Sequence, residues 1–248
     1  MKSIKFLLIF SIAVFSCTEE KKNELNFEAI IIDEQGKGRT TIGDVNMDDK
    51  NDIVVHTWGT DRGKVGDGVL VAYLYPDWTK LEIKTETHYF GDAVVVSDLN
   101  QDGLNDIITC RGNDLSAEVW WYENPGNEPG ATWKETQIAL VEEHSETKDV
   151  EVHDMDGDGL PDVIVRTKHY TVVYFQLPDG HWHENRMETR QREGMTVGDV
   201  DNDGDYDIVL NGFWLENGEQ PHDMPWESFV IDDKWFTDST GGWQDYSV

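Results

Sequence analysis

The stretch 154–165, DMDGDGLPDVIV, constrains the fold of this chain more than any other. Asp154, Asp156, Asp158 and Asp162 stand at places one, three, five and nine, with Gly159 at place six. An apolar run, Val163, Ile164 and Val165, follows at once. Carboxylates so close repel one another unless a cation lies among them. Their type and spacing suit Ca²⁺, a hard ion that takes about six to eight oxygens in a flexible shell. The pattern occurs three more times, as DVNMDDKNDIVV from Asp44, DLNQDGLNDIIT from Asp98 and DVDNDGDYDIVL from Asp199.

The repeat is larger than the loop. Loops that begin at 44, 98, 154 and 199 lie 45–56 residues apart, a period that marks stacked or radial repeat architectures. An alternating strand precedes each loop, at 40–43, 93–97, 150–153 and 195–198, and a second strand follows it. A third ends on aromatic or apolar residues, as in LVAYLYP, EVWWYENP, TVVYFQLPDG and FWLENG. A fourth starts at a Trp with an aliphatic residue or Met five places on: Trp78/Ile83, Trp133/Ile138, Trp182/Met187 and Trp226/Ile231. Short β-branched and aromatic runs between Gly, Pro and Asn turns predict one antiparallel sheet per unit, and no segment has sustained helical periodicity. The predicted fold is all-β: a β-propeller of four-stranded antiparallel blades, about four of them present, partial or truncated.

An aspartate loop between the first two strands of a blade resembles the FG-GAP/VCBS repeat family, found in integrin heads and in many secreted bacterial proteins. The resemblance covers about residues 27–248, with repeats starting near 40, 93, 149 and 194. It implies Ca²⁺ as the cofactor. Places one, three, five and nine would donate side-chain oxygens, and place seven its carbonyl. In the first loop these are Asp44, Asn46, Asp48 and Asp52, with Lys50; in the second, Asp98, Asn100, Asp102 and Asp106, with Leu104. In the third they are Asp154, Asp156, Asp158 and Asp162, with Leu160; in the fourth, Asp199, Asp201, Asp203 and Asp207, with Asp205. Glycine at place six permits a positive φ, and Gly103, Gly159 and Gly204 meet that need. Asp49 departs from it, which makes the first loop the poorest fit; the third, with no defect in its ligand set, is expected to fill first. An EF-hand would need a bidentate Glu at place twelve and flanking helices, whereas here the residue is Val55, Thr109, Val165 or Leu210 and the flanks are strands. Mg²⁺ prefers fewer protein ligands.

The chain closes a ring only if its edges are covered. Residues 27–32, FEAIII, read as a detached outer strand. In a closed four-bladed ring it would lie beside 226–231; the alternative is a fragment of a longer propeller or an open one. Residues 244–248 resemble the start of a further first strand.

The N-terminus supplies Lys2, Lys5 and an apolar stretch, 6–15, too short to span a bilayer but of secretory-signal length. Ser16 and Cys17 at its end resemble a bacterial lipobox, with Val14 and Phe15 in place of the usual leucine and small residue. That reading makes 1–17 a lipoprotein signal with Cys17 lipidated, and 18–26 a polar tether. The alternative is an ordinary signal peptide that contains a Cys. Glu19 and Glu20 are similar to a surface-export signal of Bacteroidetes lipoproteins. The chain would be exported, anchored by lipid to the outer membrane or cell surface. Acids outnumber bases 50 to 20, and the net charge of −30 excludes a general affinity for nucleic acid or anionic membrane. Cys110 follows a strand and reads as a buried small hydrophobe.

His181 and His183 share a strand face without an evident third metal ligand. His56, His88, His144 and His153 would make an acid/base site only if they converge. Trp120, Trp121 and Tyr122 read as blade core rather than a sugar platform. No nucleophile elbow, phosphate loop or other catalytic constellation is evident. Two readings stay open: a non-catalytic surface module for polysaccharide or protein, and part of a carbohydrate-active enzyme, since propellers of this kind occur in rhamnogalacturonan lyases and aldos-2-ulose dehydratases.

Overall fold

Each repeat becomes one sheet because its four short strands follow one another and can pair only by folding back. The computed structural model describes residues 27–34, 38–57, 68–87, 90–113, 116–126, 131–142, 147–189, 194–223 and 225–232. Residues 1–31 form one unit and 32–248 a second. In the first, 27–31 carry no strand. Cys17, the leader, the tether and 244–248 lie outside the described residues.

Among the described residues the second unit holds sixteen strands and no helix. The first sheet is β1 (Arg39–Gly43), β2 (Asp52–His56), β3 (Gly68–Leu74) and β4 (Thr79–Thr87). The second is β5 (Phe90–Ser97), β6 (Asp106–Asn113), β7 (Ser116–Glu123) and β8 (Lys134–Glu142). The third is β9 (Thr147–His153), β10 (Asp162–Thr167), β11 (Tyr170–Gln176) and β12 (Trp182–Glu188). The fourth is β13 (Met195–Gly198), β14 (Asp207–Leu210), β15 (Phe213–Glu216) and β16 (Glu227–Val230). Each sheet is a meander in chain order, antiparallel throughout. The aspartate loops join the first two strands, with the first and ninth places at the mouth of the pair, as in Asp52 opposite Gly43 and Asp162 opposite His153.

The core lies between blades. Val54, Leu70 and Ala72 of the first meet Ile107 and Tyr122 of the second. Ile108, Cys110 and Val119 of the second meet Val163, Val165 and Tyr174 of the third. Ile164, Val173 and Phe175 of the third meet Ile208, Leu210 and Leu215 of the fourth. Central strands covered on both faces lose the in-out alternation, and every residue of β10 is buried. The first strands β1, β5, β9 and β13 touch in succession, as innermost strands of a propeller do. They approach closely: a Cβ on Gly43 would lie 2.6 Å from the Cβ of Val96, which is why this place tolerates no side chain in the first blade.

These are four blades of a propeller-type fold, and no strand of the fourth sheet pairs with one of the first among the described residues. The expected outer strand at 27–32 is corrected: the stretch is not a strand, and Ile32 at its end packs on Val55, Val71 and Tyr73 of the first blade. Tyr73 also donates its hydroxyl proton to Asp33 at 2.5 Å. Successive apolar side chains do not by themselves make a strand, which also needs a partner edge.

Candidate metal loops

The backbone of each loop turns back on its own carboxylates. The N–H at place six donates to the first aspartate: Asp49 to Asp44 at 2.7 Å, Gly103 to Asp98 at 2.9 Å and Gly159 to Asp154 at 3.0 Å. The N–H at place five donates to the residue at place three, from Asp48 to Asn46, Asp102 to Asn100, Asp158 to Asp156 and Asp203 to Asp201, at 3.0–3.2 Å. These bonds hold the early part of each loop in one turn around its own side-chain oxygens. Asp49 takes a φ of 63°, so the first loop makes the same turn without glycine, an Asp tolerating the left-handed region better than most residues. The turn has a second left-handed residue that sequence reasoning missed: place four is positive in φ in all four loops, at Met47, Gln101, Gly157 and Asn202. Gly157 and Asn202 carried that signal; Met47 and Gln101 did not.

The aspartate at place nine has a different part. Asp52, Asp106, Asp162 and Asp207 are all fully buried. Each accepts the N–H of place two on Oδ2: Val45, Leu99, Met155 and Val200, at 2.7–3.2 Å. Each accepts on Oδ1 the N–H of the residue at or just after the end of the third strand: Tyr75, Asn124, Gln176 and Asn217, at 2.7–3.0 Å. One carboxylate thus ties the loop to the far strand of its blade. Burial pushes the Asp162 carboxyl up to about 7 against its two N–H donors, with Asp156 and Asp154 adding to the rise. Burial likewise takes Asp106 up to about 6. Asp205 rises to about 6 through burial and the nearby Asp203 and Asp207.

Carboxylate oxygens of Asp154, Asp156 and Asp162 lie within 4.8 Å of one another, as do those of Asp199, Asp201 and Asp203. In the first two loops Asn46 and Asn100 fill place three, so fewer charges gather there. Asp154 Oδ1 is buried without a hydrogen-bond partner. An oxygen left so beside other carboxylates is directed at a cation rather than at a hydrogen. An all-oxygen donor set with such orphaned atoms fits a hard metal ion, and these clusters could hold one.

Of the four histidines that would have to converge, the two among the described residues, His56 and His153, do not. His56 is fully buried at the end of β2 opposite Arg39, bonded through Nδ1 to Thr109 Oγ1 at 3.0 Å, and burial takes its pKa down to about 4. His153 is at the loop end of β9, near Glu151 and the Tyr206 ring. These are opposite ends of their blades. His88 and His144 lie outside the described residues. His183 stacks not on His181 but on His222, ring centroids 5.0 Å apart, while His181 meets Asp179 at 3.1 Å on the surface. His222, which the sequence did not single out, reaches from the fourth blade to Asp156 Oδ2 of the third loop at 2.7 Å. Tyr122 is fully buried, Trp120 lies under the Arg111 guanidinium, and Trp121 packs on the interface of blades two and three. Cys110 is fully buried and its thiol is pushed up to about 12.

FG-GAP-like repeats match residues 98–165 and 154–210. Those spans hold the second, third and fourth loops. A comparison with curated proteins finds no match. Among solved structures, the chain is similar to the rhamnogalacturonan lyase YesW at 16% identity and a TM-score of 0.48, over 72% of this chain and 40% of that one. It is similar to the V. cholerae biofilm matrix protein Bap1 at 16% and 0.45, over 74% and 30%. It is similar to the exotype rhamnogalacturonan lyase YesX at 15% and 0.47, over 72% and 39%. The chain therefore spans well under half the length of these proteins.

Proposed function

We propose that this is an exported, calcium-stabilised repeat protein that works at the cell surface as a non-catalytic module binding a polysaccharide or another protein. One observation carries most of the reading: loops that share one turn stand at the same place in four blades, and in the third and fourth of them three carboxylates come together. Sites distributed evenly over repeats brace a scaffold, whereas a reaction centre needs groups that converge. Ca²⁺ suits the oxygen-only donors and their number better than Mg²⁺ does. A groove of about 400 Å³ beside the first loop, lined by Glu82 and Trp133 among others, offers a carboxylate and an aromatic ring of the kind that meet sugars. Export and the anchor rest on the leader and Cys17.

With Kd of ~0.1–1 mM and free Ca²⁺ of ~1–2 mM outside the cell, each filled site adds about 0.4–1.8 kcal/mol. Chelation with EDTA is expected to lower the melting temperature, and re-addition of Ca²⁺ to restore it. An unchanged melting curve sinks the calcium reading. On a glycan array the purified protein is expected to retain a bound polysaccharide intact; release of unsaturated oligosaccharides would replace the binding module with a lyase. Cells fed an alkynyl fatty acid are expected to label the protein, and Cys17→Ser to abolish the label. Equal labelling of the variant removes the anchor.

A further inference from the structure

Each of the last three blades carries a primary carboxamide at or just past the end of its third strand: Asn124, Gln176 and Asn217. The backbone N–H of that residue donates to the buried aspartate at place nine of its own loop. Its side chain crosses to the blade before. Asn124 donates Nδ2–H to the carbonyl of Val45 at 2.8 Å, Gln176 donates Nε2–H to that of Leu99 at 3.1 Å, and Asn217 donates Nδ2–H to that of Met155 at 2.6 Å. Val45, Leu99 and Met155 are the same residue of three successive loops, place two, between the acids or amides of places one and three. They are 3%, 0% and 1% exposed. Val200, at that place in the fourth loop, is 40% exposed. The first blade has Tyr75 where the others have the carboxamide: it keeps the backbone bond to Asp52 and has no amide to extend.

We propose that Asn124, Gln176 and Asn217 are positioning residues for the metal loops of the preceding blades, so that cation binding in one blade and docking of the next strengthen each other. This rests on the reading that the loops take a cation. Fixing the carbonyl at place two fixes the peptides on either side of it, and with them the directions of the side chains at places one and three. Order imposed before the ion arrives is order the ion does not have to impose, and the affinity rises accordingly. The coupling is reciprocal: a loop held by its ion presents its carbonyl to the neighbour's amide. In the third loop His222 adds a second hold from the same neighbour, on Asp156 itself.

Two methionines make the test site-specific. Met47 is the fourth residue of the first loop and Met155 the second of the third. The full chain, labelled with ¹³C at the methionine methyls, is titrated with Ca²⁺ and both signals are followed. Loss of one neutral hydrogen bond, as at Asn217, predicts a shift of roughly 3- to 10-fold in the half-saturating concentration, and Asn124, which also donates to the Asn105 carbonyl and accepts from the Gly126 N–H, is expected to shift its loop by at least as much. Asn217→Ala is expected to shift the Met155 titration by that factor and leave Met47 in place; Asn124→Ala is expected to do the reverse. Asn217→Gln should recover part of the affinity, since Gln176 performs the same contact one blade earlier. If Asn217→Ala loosens the fourth blade, Asn217→Leu, of similar volume and without a donor, replaces it and is expected to give the same selective shift. Equal shifts at both methyls, or none at either, overturn the positioning role. If neither methyl of the unaltered protein responds to Ca²⁺, the cation reading itself fails and takes the proposal with it.

Discussion

Stripped of metal by a chelator, the protein is expected to melt at a higher temperature at pH 5 than at pH 7. Asp162 has its carboxyl raised to about 7 and Asp106 to about 6, both chiefly by burial. A carboxyl whose pKa is raised by folding holds its proton more tightly in the folded chain than in the unfolded one. Below about pH 4 both states are protonated and the group costs nothing; as pH rises from there to about 7 the unfolded chain ionises first and stability is lost. About three units for Asp162 correspond to a cost on the order of 4 kcal/mol at neutral pH, and Asp106 adds to it. Asp205, raised to about 6 but more open to solvent, contributes less. The net charge of −30 acts in the same direction, because acidification relieves self-repulsion, while His56, held down to about 4 by burial, opposes it in part because the unfolded chain takes up that proton between pH 7 and 5. With Ca²⁺ present the sign reverses, since the ion stabilises the ionised carboxylates and protons compete with it. Melting temperatures at pH 5 and 7, with chelator and with Ca²⁺, should therefore cross. A chelated protein that melts lower at pH 5 than at pH 7 contradicts the account.

Replacing Phe175 by alanine is expected to cost about 3–5 kcal/mol, because a fully buried aromatic leaves a cavity that its neighbours fill only in part. Phe175 belongs to β11 but packs into the cluster shared with Ile208, Leu210 and Leu215 of the fourth blade. Its ring also stacks on His222, centroids 4.3 Å apart. The loss therefore falls on the joint between blades three and four rather than on the third sheet. In a repeat array each unit leans only on its neighbours, so the damage stays local. The melting temperature should drop by roughly 10 °C. Amide exchange should quicken first in β13 to β16, with β1 to β8 little changed. Val230→Ala, at a residue 59% exposed, is the control and should stay within about 0.5 kcal/mol. Uniformly faster exchange in all four blades would show that the blades do not unfold in sequence.

Much of the site was legible before any coordinates. The strand before each loop, the strand after it and the Trp-led outer strands fall within about three residues of their expected places, as β1, β5, β9 and β13 show. Such features are local: a period of two in the strands and a fixed spacing in the loops. What failed was also local pattern, read where context overrules it. Residues 27–32 resemble the outer strands yet form none, because a strand needs a partner edge and a pattern does not supply one. Asp49 broke the glycine rule without breaking the turn, since the N–H bond to Asp44 holds it there. His181 and His183 shared a face, but the ring His183 meets is His222, 39 residues further on.

The repeated blade, with four strands and an acidic loop between the first two, is written in the residues, because hydrophobic alternation and turn chemistry act over a few residues. How the blades lock together is a matter of packing. The aspartate at place nine is tied to its own blade by backbone donors up to 23 residues away. The carboxamides of Asn124, Gln176 and Asn217 reach carbonyls 62 to 79 residues earlier in the chain. No local pattern marks an amide as one that will meet a particular carbonyl so far off. That pairing follows from the stacking of finished sheets, whose buried faces bring each loop beside the third strand of the next blade.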